Sequence, residues 1–139
     1  MNIAKNETKA PKTVEQNVNS VSRIAQGAAI KGDLSAPTDI RVDGSVDGTL
    51  RSEGRVVAGE SARLSGKLFC VNADIWGRMD GDIYVKEMLS LKGSSVVNGD
   101  IYVSKVQVEL GAQVNGSFKI ITEEEYDRLA GTASAAVSD

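Results

Sequence analysis

Apolar and polar residues alternate along most of this chain in short pieces, and glycine resets the alternation at regular intervals. A five-residue phrase of the form apolar, polar, Gly, polar, apolar recurs six times. It reads Ile30-Lys31-Gly32-Asp33-Leu34, Val46-Asp47-Gly48-Thr49-Leu50 and Leu64-Ser65-Gly66-Lys67-Leu68 in the first half. Met79-Asp80-Gly81-Asp82-Ile83, Val97-Asn98-Gly99-Asp100-Ile101 and Val114-Asn115-Gly116-Ser117-Phe118 follow. The steps between central glycines are 16, 18, 15, 18 and 17 residues. Self-similarity at so short a period is the signature of a solenoid. An earlier glycine accompanies each phrase, at Gly27, Gly44, Gly59, Gly77, Gly93 and Gly111, which predicts corners where the backbone bends sharply.

Between the corners the alternation has period two in runs of three to five residues, as in Ile40-Arg41-Val42-Asp43. That pattern means short strands with one face buried. Three such strands per turn of about 17 residues predict an all-β fold, a triangular parallel β-helix of about six rungs, starting near Ile24, Ile40, Val56, Ala73, Met88 and Val106. Aligning the rungs gives three inward columns. One holds Ile30, Val46, Leu64, Met79, Val97 and Val114, and a second holds Leu34, Leu50, Leu68, Ile83, Ile101 and Phe118. The third holds Ala36, Ser52, Cys70, Val85, Val103 and Ile120, which makes Cys70 a small core residue rather than a reactive thiol. An outward column places Phe69, Tyr84 and Tyr102 on successive rungs. They form either an aromatic ladder that stiffens one face or a lateral contact site.

The pattern divides the chain into a tail at 1–23, a β-helix domain at 24–121, and a final segment at 122–139. The first segment is polar, rich in Asn, Lys, Ser and Thr, and predicted to be disordered. Thr122-Glu123-Glu124-Glu125 is a capping box, predicting a short helix through Tyr126 and Leu129 that stops near Gly131, before a disordered end.

Composition removes most chemistry. There is no histidine and one cysteine, so histidine-based acyl transfer, histidine-bound zinc and a thiolate metal cage are all excluded. Gly66-Lys67 is followed by Leu68, so there is no phosphate-binding loop. The acidic pair Asp80 and Asp82 around Gly81 reads as turn chemistry, since acid–Gly pairs recur at many corners. A net charge of −3 and few aromatic residues give no basis for nucleic-acid binding. No catalytic residue, metal ligand or cofactor is expected. A lone cysteine and the lack of an apolar leader suit the cytoplasm, with peripheral attachment at the inner face of the cytoplasmic membrane left open.

The six-rung block with polar tails on both sides resembles the bactofilin family. The Gly-Asp-Ile and Gly-Lys-Leu phrases after an apolar-polar pair, Asn98-Gly99-Asp100-Ile101 among them, carry the resemblance over residues 24–121. It implies a right-handed β-helix that assembles end to end, without nucleotide, into bacterial cytoskeletal filaments. It also implies scaffolding of cell-shape or cell-wall machinery, with cell-wall enzymes or membrane proteins as partners beside the homopolymer itself. Many members begin with a short apolar-basic membrane-targeting segment. Here the corresponding start is Met1-Asn2-Ile3-Ala4-Lys5, so Ile3, Lys5, Lys9 and Lys12 are the candidate membrane contact. The contrasting reading on architecture is a hexapeptide-type β-helix acyltransferase forming discrete trimers, weakened by the missing histidine and the uneven rungs.

The terminal rungs are as apolar as the middle ones. Uncapped ends of a solenoid expose unpaired backbone and core, and template further pairing. The expected polymerisation interface is therefore Ile24, Ile30 and Leu34 at one end and Val108, Val114, Phe118 and Ile120 at the other, with Phe118 the most sensitive.

Overall fold

The computed structural model describes the backbone of residues 22–138 and the side chains of residues 23–131. The candidate membrane contacts Ile3, Lys5, Lys9 and Lys12 lie outside the described residues. The strands are β1 (Ser22–Ile24), β2 (Ala29–Lys31), β3 (Leu34–Ala36), β4 (Ile40–Val42) and β5 (Ser45–Ser52). They continue as β6 (Arg55–Ala58), β7 (Arg63–Ile75), β8 (Arg78–Leu91), β9 (Val96–Val108) and β10 (Gln113–Ile120). One helix, α1 (Glu123–Ser138), follows.

Every pairing is parallel and joins one turn to the next, so the chain coils into a β-solenoid of about six turns. Its three faces follow from the pairing. The first carries β1, β4 and β6, then the last residues of β7, β8 and β9. The second and third carry β2 and β3, the two halves of β5, and the matching parts of the later strands.

The phrase glycines stack in register between the second and third faces, Gly48 on Gly66, Gly66 on Gly81, and Gly99 under Gly116. Their φ angles lie between +115° at Gly66 and +157° at Gly116. At Gly66 a β-carbon would fall on the carbonyl oxygen of Gly48 in the turn before. The corner therefore needs glycine twice over, for backbone conformation and for the close approach of successive turns.

Uneven rung length arises outside the ladders. The corner between the first and second faces has two residues at 43–44 and 76–77, but four at 25–28, 59–62, 92–95 and 109–112. The second source is a β-bulge in β8. Lys86 and Glu87 lie between Val85 and Met88, where β7 has only Val71 and β9 only Ser104. The extra residue flips the side chains that follow it. Met88 consequently points outward at 40% exposure, and Leu89, in register with Ala73 and Val106, begins the inward column of that rung. The predicted start at Met88 is thus displaced by one residue. The start at Ile24 is displaced too: Ser22 pairs with Ile40, and Ile24 with Val42.

The predicted inward columns, short of Phe118 and Ile120, join with inward residues of the first face such as Val42, Ala58, Ile75 and Leu91 in one continuous core from Ile24 to Val103, with Ile30, Val106, Ala112 and Val114 against it. Cys70 is part of that core, and burial pushes its thiol far above the ordinary range.

The helix departs from expectation in length. The capping box forms: the Thr122 hydroxyl accepts from the Glu125 amide at 3.0 Å, and the Glu125 carboxylate accepts from the Thr122 amide at 2.9 Å. The helix then runs through Gly131 to Ser138 instead of stopping at the glycine. A glycine inside a helix costs only about 1 kcal/mol relative to alanine, and the neighbouring alanines at 130, 133, 135 and 136 favour continuation. Nor does α1 sit on an end of the solenoid. It folds back against β8 and β9 on the side of the molecule.

Candidate functional site

The last turn is the open end. β10 pairs with β9 along one edge, and among the described residues no strand pairs with its other edge. Phe118 lies in register with Ile101, Ile120 with Val103, and Val108 with Leu91. Those three partners are completely sealed, whereas Phe118 is 42% exposed, Val108 49% and Ile120 63%. Side chains that would be core one turn earlier are surface here because no rung covers them. Val114 is half-buried in the same layer.

Leu110 adds to this apolar end at 99% exposure. Leu110 is not among the expected interface residues because it is in no inward column. Its signal was an apolar residue second in a four-residue corner, where the corners at 59–62 and 92–95 carry Glu60 and Gly93.

Polar ladders run to the same end. The Asn98 amide donates to Asp80 at 2.8 Å, the Asn115 amide donates to Asn98 at 2.8 Å, and the Ser117 hydroxyl donates to Asp100 at 2.8 Å. The Asn98 amide and the Arg78 guanidinium together hold the Asp80 carboxyl below the usual carboxylate range.

The other end differs. Ile24 and Leu34, expected to be uncovered, are buried at 6% and 4%, and Ile30 is half-buried. Ile24 and Leu34 are enclosed in the common core with their register partners Val42 and Leu50, so they offer little free apolar surface. Apart from Met88, the large apolar side chains strongly exposed among the described residues are therefore at the C-terminal end.

The aromatic column forms as aligned. Phe69 and Tyr84 stack at 4.5 Å between ring centroids with 6° between planes, and Tyr84 and Tyr102 at 4.7 Å with 4°. These separations are close to the 4.7–4.9 Å spacing of neighbouring strands. The Arg51 guanidinium lies 4.5 Å from the Phe69 centroid and closes the stack on that side. Helix α1 packs against this column, leaving Tyr84 and Tyr102 half-buried. Phe69 is buried at 2%, in a second apolar cluster with Ile121, Tyr126 and Ala130, against which Tyr84, Tyr102 and Leu129 pack. An ion pair between Lys86 and Asp127 at 3.1 Å ties α1 to the bulge of β8. Burial raises the Tyr126 phenol well above its ordinary pKa, so it stays neutral in the seam. Phe69, Tyr84 and Tyr102 form a ladder, and the chain's own helix covers Phe69 and part of the two tyrosines.

Among the described residues no group of three or more Cys, Asp or Glu side chains is arranged to hold a metal ion. No described helix is long and apolar enough to cross a membrane. A family model described as "Bactofilin: Polymer-forming cytoskeletal" matches residues 22–119. The chain belongs to the bactofilin family. The match begins on the first residue of β1 and ends one residue before the end of β10, so it covers the solenoid and leaves α1 outside. Bactofilin BacO of Myxococcus xanthus is 25% identical over 101 residues, which cover 73% of this chain and 80% of that protein. No solved structure gives a significant match. Membership makes this bactofilin a polymer-forming cytoskeletal protein and points away from enzymatic activity, including the acyltransferase alternative.

Proposed function

We propose that this bactofilin polymerises end to end through its last turn, without nucleotide or metal, and that the filament scaffolds cell-shape or cell-wall machinery in the cytoplasm. One observation carries the reading: α1 folds onto the side of the solenoid and leaves Val108, Val114, Phe118 and Ile120 uncovered beside the free edge of β10. Covering side chains already half out of water is worth roughly 1 kcal/mol each, and pairing the edge satisfies a row of backbone groups as well. Ile24, Ile30 and Leu34 take part only if the first turn meets the joint, and their burial makes them the lesser contributors.

Purified protein in EDTA, free of ATP and GTP, should form filaments under negative stain. A strict requirement for either nucleotide or metal would refute the mechanism. Phe118→Arg should give a folded, short species. Burying an unpaired charge in the joint costs roughly 3–5 kcal/mol, which raises the critical concentration by about two to four decades. Long filaments from Phe118→Arg at unchanged concentration would place the joint elsewhere.

A further inference from the structure

The aromatic column is partly covered by a segment that the solenoid does not need for its own strand pairing: Phe69 is buried, and Tyr84 and Tyr102 are half-buried. Of the cluster that seals it, Phe69, Tyr84 and Tyr102 come from the solenoid, while Tyr126, Leu129 and Ala130 come from α1. Lifting the helix would bare Phe69 and uncover more of Tyr84 and Tyr102, joining three stacked rings into one apolar strip of the kind that marks interaction sites. We propose that α1 is a lateral guard: it keeps filaments of this chain from pairing side to side through the Phe69–Tyr84–Tyr102 strip, and the strip becomes a second assembly surface for another copy of the chain when α1 undocks.

The occupant follows from the geometry. The rings are stacked along the direction in which turns succeed one another, with 6° and 4° between planes, so the strip is flat and parallel to the axis. Its column continues to Lys119 on β10, at the open end. In an end-to-end polymer the strip recurs once per subunit, and two such filaments side by side would engage many strips together. Repetition of that kind turns a weak single contact into a strong one. The helix cannot serve as the exchanged element. The Ile121 amide donates to the Val103 carbonyl at 3.0 Å, and the capping box starts at Thr122, which leaves no linker with which α1 could reach a neighbour.

The inference rests on the polymer reading, and the test separates the two. In the full-length chain, Tyr126→Asp with Leu129→Asp puts two charges into the apolar seam and leaves every strand residue unchanged. Amide hydrogen exchange at residues 126–130 should accelerate at least tenfold as α1 comes away. Filaments should then change from single to bundled, with several-fold more protein in a low-speed pellet. Adding Tyr84→Ser and Tyr102→Ser to that variant should return single filaments, which a purely structural role for α1 would not do. Single filaments from the undocked variant would overturn the guard, as would bundles that survive removal of the rings. Exchange at residues 126–130 no faster than in the parent would overturn it as well. If neither parent nor variant forms filaments, the polymer reading itself fails.

Discussion

Replacing Gly81 by alanine should be among the most damaging single-methyl changes in this protein, and the structure separates its two causes. Gly81 turns the chain from the second face to the third at φ +139°, and a β-carbon there would fall on the Gly66 carbonyl oxygen of the previous turn. Forcing alanine into a glycine-only backbone region costs about 1–3 kcal/mol. The overlap cannot be relieved by a side-chain rotation, because the obstructing atom is backbone held in register on both sides. Overpacking of that kind adds about 1–3 kcal/mol. The total of roughly 2–6 kcal/mol is large against the 5–15 kcal/mol that holds a typical domain together. Gly27 is the control. It also has positive φ, at +91°, but nothing lies within 4 Å of its added β-carbon, so Gly27→Ala should cost only about 1–2 kcal/mol. Both changes remove the same unfolded-state freedom, which cancels in the comparison. Urea unfolding followed by circular dichroism, in the Phe118→Arg background so that assembly adds nothing, gives the difference. Equal costs for the two substitutions, within about 0.5 kcal/mol, would refute the argument that contact between successive turns fixes these glycines.

Leu110→Arg should leave stability within about 0.5 kcal/mol, since the side chain touches almost nothing in the subunit, yet raise the critical concentration for assembly as measured by sedimentation; unchanged assembly would remove the corner from the joint. Gly131→Ala should stabilise α1 by about 1 kcal/mol and slow tryptic cleavage after Arg128, because the site is open and helical; no change in cleavage would mean that α1 opens without fraying at the glycine. The folded-state pKa of Asp80 is depressed, so its contribution to stability is present above the usual carboxylate pKa near 4 and fades as pH falls through the lower folded value. Asp80→Asn should therefore shrink the loss of stability between about pH 4 and pH 2 in acid-unfolding curves, and an identical acid limb would show that the ladder does not depend on this charge.

The repeated phrase was enough for fold class, rung number and the inward columns of the second and third faces, because a solenoid builds long-range structure from a local rule repeated at a fixed step. Gly66 and Gly81, Leu68 and Ile83, Phe69 and Tyr84 are neighbours in space simply because they hold the same place in successive phrases. The open end was legible for the same reason: Phe118 and Ile120 continue apolar columns that no later rung extends. What escaped the sequence is whatever breaks the repeat. The bulge at Lys86 and Glu87 moves Met88 to the surface, and nothing local distinguishes an apolar residue that faces in from one that an inserted residue has flipped. Leu110 belongs to no column, so only its exposure reveals it. The burial of Ile24 and Leu34 was invisible as well, since hydrophobicity alone does not say how far a terminal side chain is enclosed. The placement of α1 was the largest gap. Its capping box and helical character are local and readable, but whether it covers an end or a side depends on which apolar surface it meets on leaving β10. That surface is the stacked column of Phe69, Tyr84 and Tyr102, which exists only once the strands have coiled.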